Sequence, residues 1–98
     1  MIFKLRFTDE AKANLKALEG DPSKKAELKA VRKALGFMET NMRHPGLKTH
    51  KYSVLKGPQR QEVFEAYAQN QTPGAYRIFW YYGPDKNQIS IASIVPHP

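Results

Sequence analysis

The sequence predicts an α+β fold: an N-terminal strand, an α-helical hairpin, then a mainly antiparallel sheet of three or more strands. Three observations carry this. Residues 75–82 (AYRIFWYY) form an aromatic and β-branched run between Thr72-Pro73-Gly74 and Gly83-Pro84-Asp85, as a strand between two turns does. Apolar residues at spacings of three and four mark two amphipathic helices in residues 9–40. Period-two alternation recurs near both ends of the chain.

In order, Ile2, Lys4 and Arg6 alternate with Phe3, Leu5 and Phe7, the pattern of a half-buried strand. Thr8 is placed to cap a helix, with Asp9 and Glu10 in its positive first turn. Ala11, Leu15 and Leu18 form its apolar stripe, and Gly20 suits its C-terminal end. Asp21-Pro22 restarts a helix as cap and first helical residue. Leu28, Val31, Leu35 and Met38 are the second stripe, and the short connection makes the pair an antiparallel hairpin. Residues 42–47, with Pro45 and Gly46, read as an ordered loop, and residues 47–57 as either a short strand or irregular chain. Residues 63–67 are a strand candidate, and residues 88–95 alternate into the last strand.

Period two puts Tyr76, Ile78, Trp80 and Tyr82 on one face of the central run and Ala75, Arg77, Phe79 and Tyr81 on the other. Two apolar faces predict an interior strand. The helix hairpin is expected over one face, leaving the other to curve over the basic loop as a concave, partly wet surface. Trp80 and Phe79 read as core residues. Arg77 is the exception on this strand, because a guanidinium there must reach a carboxylate, a phosphate or water. One reading pairs it with Glu62 or Glu65 across a hairpin.

With 98 residues the chain is expected to be a single domain, 1–98, with a core that needs no disulfide. It has no cysteine, which excludes thiolate chemistry. No apolar run approaches a membrane span and no signal-peptide core is visible, so a cytoplasmic protein with no membrane association is expected. The net charge is +7, unevenly spread. Residues 41–61 hold Arg43, Lys48, Lys51, Lys56 and Arg60 with no Asp or Glu, which points to a polyanionic partner, either nucleic acid or an acidic protein segment.

His44, His50 and His97 are the only histidines and lack metal-ligand spacing, and no Gly-rich phosphate loop or nucleophile elbow is present. No metal and no cofactor is therefore expected. The cationic set suits RNA phosphodiester cleavage without a metal. A base activates the 2′-hydroxyl, an acid protonates the 5′-oxygen, and cations stabilise the charge on the phosphorane. Histidine serves as acid or base near neutrality, and arginine's planar fork can bind two phosphate oxygens. Tyr67, Tyr81 and Tyr82 are candidates for stacking on splayed bases.

The element order, the loop Arg43-His44-Pro45-Gly46-Leu47-Lys48-Thr49-His50, the AYRIFWYY strand and the C-terminal His97 together resemble the RelE/ParE toxin superfamily over nearly the whole chain. The strand resembles the family's Tyr-Arg strand, whose arginine contacts the scissile phosphate in the ribosome-dependent mRNA interferases; Arg77 takes that position. Lys48 resembles the lysine of the loop before the sheet, and His97 the terminal histidine of YoeB- and HigB-like members. The resemblance implies a type II toxin that cleaves mRNA in the ribosomal A site and is neutralised by a cognate, acidic antitoxin. The implied catalytic residues are Arg77, His97, Lys48 and His50, with Arg43, His44, Lys51, Lys56, Arg60 and Tyr81 binding RNA. Pro45-Gly46 stands where YoeB-like members carry an acidic base, and Glu62 and Glu65 stand where RelE-like members carry paired lysines. These departures keep two other readings open: a ParE-like inhibitor of DNA gyrase that cuts nothing, and a degenerate toxin retained as a structural partner.

Overall fold

A computed structural model of the chain describes residues 2–70 and 72–97. Strand β1 (Lys4–Phe7) leads into helix α1 (Asp9–Glu19) and helix α2 (Lys25–Thr40). Four strands follow: β2 (His50–Lys56), β3 (Glu62–Tyr67), β4 (Tyr76–Tyr82) and β5 (Gln88–Pro96). They form one five-stranded sheet in the order β1-β5-β4-β3-β2. β1 runs parallel to β5 and the other neighbours are antiparallel. The fold is α+β, and β4 is the central strand, as its two apolar faces require.

The helix boundaries follow the capping chemistry. Thr8 Oγ1 accepts the backbone N–H of Ala11 at 3.1 Å. Asp21 accepts the N–H of Ser23 at 2.9 Å, but the turn it caps is a short 3-10 segment, Pro22–Lys24, and α2 proper starts at Lys25. Gly20 ends α1 in the right-handed region, so no left-handed cap is used there. Ala11, Leu18, Val31, Ala34, Leu35 and Met38 are buried against one face of the sheet. That face contributes Ala66, Tyr76, Ile78, Trp80, Ile89, Ile91 and Ile94.

The isoleucines of β5 break strict alternation, and the pairing explains how. Trp80 pairs with Ile91 and Phe79 with Ser93, so Ala92 is the extra residue of a bulge. The phase shift brings Ile89, Ile91 and Ile94 all onto the helix side. Helix α1 takes up the polar groups at this bulge. Thr8 Oγ1 donates to the Ala92 carbonyl at 2.8 Å, and the Ile94 N–H donates to Asn14 Oδ1 at 2.9 Å.

The stretch that was ambiguous in sequence is strand β2, at the sheet edge. It pairs with β3 at His50–Glu65 and Lys51–Phe64, and its register shifts before Lys56 meets Glu62. One expectation is corrected. The loop of residues 41–49 packs on the helix side, where Leu47 is buried in the core and His44 stacks on Phe37 of α2 at 3.8 Å. Leu47 draws it there, because an apolar side chain gains most by joining the core. The opposite face is left to Glu65, Arg77 and their neighbours.

Loss of either bulge contact in Thr8→Ala or Asn14→Ala is expected to cost about 1–2 kcal/mol. Ile91→Ala is expected to cost about 2–5 kcal/mol. Val54→Ser, at an exposed position, should stay within about 0.5 kcal/mol. Urea unfolding of the four variants checks this order.

Candidate functional site

The hairpin register builds a charged cluster on the sheet face away from the helices. Period two puts Val63, Glu65 and Tyr67 of β3 on this face, beside Arg77, Phe79 and Tyr81 of β4. Glu65 pairs with His50 across the β2–β3 ladder, and Tyr67 with Arg77 across β3–β4.

Glu65 is 6% exposed and Arg77 7%. One Glu65 oxygen, Oε1, lies 2.7 Å from His50 Nε2, and the other, Oε2, lies 3.7 Å from Arg77 Nε. The second distance is that of an ion pair without a hydrogen bond, and Arg77 Nε is a buried donor with no hydrogen-bond partner among the described residues. Arg77 Nη1 donates to the Gln69 carbonyl at 2.7 Å, and the guanidinium lies 3.7 Å from the Tyr67 ring centroid. The expected cross-strand contact with an acid is therefore present, with Glu65 and not with Glu62.

His50 is held at both nitrogens. Nδ1 is 2.8 Å from the Lys48 carbonyl, and Nε2 faces the Glu65 carboxylate. Both partners are acceptors, so the doubly protonated ring satisfies both contacts and the neutral ring only one. Lys48 adopts φ 46°, ψ 40°, a left-handed conformation that is uncommon for a side chain with a Cβ and recurs at functional loops. This turn puts Lys48 Nζ 5.8 Å from the Tyr67 ring.

The other sequence candidates fall into three places. The His97 N–H donates to the Ala75 carbonyl at 2.7 Å. Since Tyr76 pairs with Pro96 and Arg77 with Val95, His97 continues the ladder at the Arg77 end of the sheet. His44 caps its own loop, accepting the Gly46 N–H at Nδ1 (3.0 Å). A Cβ at position 46 would lie 3.0 Å from that nitrogen, so glycine is what allows this close approach. Arg43 and Lys51 lie on the helix side of the edge, since Lys51 pairs with Phe64 there.

Lys56 and Arg60 sit at the far end of the β2–β3 hairpin, about 20 Å along the strand from His50. Lys56 donates to Glu62 at 2.9 Å, which holds the Glu62 carboxyl below its ordinary range in an exposed pair. Tyr81 is 4% exposed and lines a hollow together with Gly57 and Pro58. Its ring exposes too little surface to stack on a base, which corrects the expectation for it.

The structure thus gathers Arg77, His50 and Lys48 with His97 at one end of the sheet, and separates them from Lys56, Arg60 and Tyr81. Two members were not picked out as site residues by the sequence, Glu65 as a functional acid and Tyr67 as the ring beneath Arg77. The available signal was period: counting back from the turn places both on the Arg77 face. Among the described residues, no three His, Asp or Glu side chains gather as a metal site. None of the described helices is long and apolar enough to cross a membrane.

Comparison with known proteins bears on the fold. No sequence-family model matches the chain, and no curated protein is similar to it by sequence. Solved structures do match over essentially its full length. The archaeal RelE–RelB complex from Pyrococcus horikoshii OT3 aligns with a TM-score of 0.64 at 18% identity, covering 98% of this chain and 96% of that one. The YoeB–YefM complex from Staphylococcus aureus aligns at 0.66 and 19%, covering 100% of both chains. The YoeB/ParE toxin from Agrobacterium tumefaciens aligns at 0.69 and 9%, covering 98% and 100%. The chain has the fold of these RelE- and YoeB-type toxin structures.

Glu65→Leu or Arg77→Met alone leaves a buried charge without its partner, and each is expected to cost about 3–5 kcal/mol. The double variant should cost clearly less than the sum. Equilibrium unfolding of the three proteins checks this; additive losses would show that Glu65 and Arg77 do not act as a pair.

Proposed function

We propose that this chain is the toxin of a type II toxin–antitoxin system and a ribosome-dependent, metal-independent mRNA endoribonuclease. The observation that carries the reading is that Arg77 and His50 meet one buried carboxylate, Glu65, with Lys48 beside Tyr67 next to them, at the end of the sheet where His97 also lies. Two permanent cations, Arg77 and Lys48, beside one carboxylate leave a positive site suited to a phosphate.

In this reading the scissile phosphate meets Arg77 and Lys48. His97 takes the proton of the ribose 2′-hydroxyl as general base, and the 2′-oxygen forms a bond to phosphorus. The P–O5′ bond breaks as His50, protonated and turned from the Lys48 carbonyl, gives its Nδ1 proton to the leaving oxygen. The products are a 2′,3′-cyclic phosphate and a 5′-hydroxyl. Glu65 is the positioning residue: its contact with Nε2 fixes the ring so that Nδ1 is the atom left to transfer a proton, as an orienting acid does for a catalytic histidine. Arg77 and Lys48 offset the charge that grows on the phosphorane.

The partner we propose is an acidic antitoxin, in line with the charge of +7. The P. horikoshii and S. aureus structures are themselves complexes with RelB and YefM. A second reading, a ParE-like gyrase inhibitor, is favoured by one feature: Arg77 is 7% exposed and already tied to Gln69 and Tyr67.

Primer extension on translated mRNA separates them. The endoribonuclease reading expects cuts within codons only when ribosomes are present, reduced about 10²-fold or more in Arg77→Gln and His50→Gln with unchanged circular dichroism. Native-level cutting by Arg77→Gln would overturn it. Absence of cuts together with inhibited supercoiling by gyrase would favour the second reading.

A further inference from the structure

On the helix side of the sheet, the loop of residues 41–49 leaves an open cleft of about 460 Å³ that the proposed chemistry does not use. Its floor is aromatic. Phe64 and Trp80 stack at 4.7 Å with 22° between their planes, and Tyr82 stands edge-on to both at 5.6 and 5.0 Å. Arg43 and Lys48 line it, and no described lining residue is acidic. A second hollow of about 390 Å³ adjoins it and shares Arg43 and Tyr82. Tyr82 is 49% exposed, so its ring is open to these hollows in water, backed by the more buried Phe64 and Trp80. Trp80 is 1% exposed, and its indole N–H has no hydrogen-bond partner among the described residues, an unusual state for a buried donor.

We infer that this cleft is a second RNA subsite, which binds nucleotides flanking the one held at Arg77. The inference rests on the endoribonuclease reading. Aromatic rings interleaved with cations and free of carboxylates are what single-stranded RNA requires. Bases stack on the rings and phosphates meet Arg and Lys. Two hollows on either side of Arg43 and Tyr82 match the repeat of base and phosphate along a strand better than the irregular side chains of a peptide. Lys48 links the sites, since it lines this cleft and also lies 5.8 Å from the Tyr67 ring beside Arg77. A strand cut at Arg77 therefore has a continuous cationic path around the β2 edge into the cleft. The volumes fall in the range of small-ligand sites.

Trp80 is the only tryptophan, so its emission reports on this cleft directly. The probe is a 2′-O-methyl RNA dinucleotide with a terminal phosphate, too short to span both sites and without a 2′-hydroxyl to be attacked. A saturable change in Trp80 emission is expected. It should weaken with added salt and by roughly tenfold in Tyr82→Ala and in Arg43→Glu, two exposed positions, with circular dichroism unchanged, and persist in Arg77→Gln. No saturable change, or a change lost in Arg77→Gln and kept in Arg43→Glu, would overturn the inference. So would a response to an acidic peptide but not to the dinucleotide. Because the probe needs neither ribosome nor cleavage, failure here with intact mRNA cutting removes only this subsite. Loss of cutting with intact binding removes only the nuclease.

Discussion

A carboxylate at 6% exposure persists only if its charge is met, and the cationic end of this molecule is arranged around meeting that of Glu65. His50 takes one oxygen and Arg77 approaches the other. Each is fixed in turn by a backbone carbonyl, Lys48 for His50 and Gln69 for Arg77. Tyr67 supplies a ring beneath the guanidinium. The pairing depends on β4 lying at the centre of the sheet, with Arg77 and Glu65 on adjacent strands and the same face. A one-residue slip of β3 would send Glu65 to the helix side and break the cluster.

The two faces of the sheet divide the labour. The helix side holds the core, and its aromatic row runs out from under α2 to end in the half-exposed Tyr82. The other side is polar where His50, Glu65 and Arg77 meet. Lys48 stands at the edge between them, in a strained backbone conformation that aims its side chain toward Tyr67. Opposite roles for the two faces follow from sheet pleat, which separates neighbouring residues of one strand.

Much of this was legible in the sequence. The two stripes, the Thr8 cap and the central position of residues 75–82 all rest on local period and capping, and the structure has each of them. The bulge at Ala92 was not legible, because alternation in residues 88–95 looks regular until its partner strand is known. The side on which the 41–49 loop packs was set by the burial of Leu47, a tertiary contact. Within the candidate site, Arg77, Lys48 and His50 were expected from chemistry and resemblance, and the structure brings them to one end of the sheet. Glu65 was seen only as a possible ion-pair partner, since its link to His50 needs the β2–β3 register. Tyr81 was expected to stack on bases and is buried, which local period alone does not reveal.

The central claim is that Glu65 positions His50 for proton transfer, and single-turnover cleavage of ribosome-bound mRNA by Glu65→Gln tests it most directly. The amide keeps the size of the side chain and can still hydrogen-bond the ring, but it loses the charge. The account predicts a folded protein that cuts at the native positions about 10²-fold more slowly. A folded Glu65→Gln protein that cuts at the native rate would contradict it and leave the carboxylate a purely structural partner of Arg77.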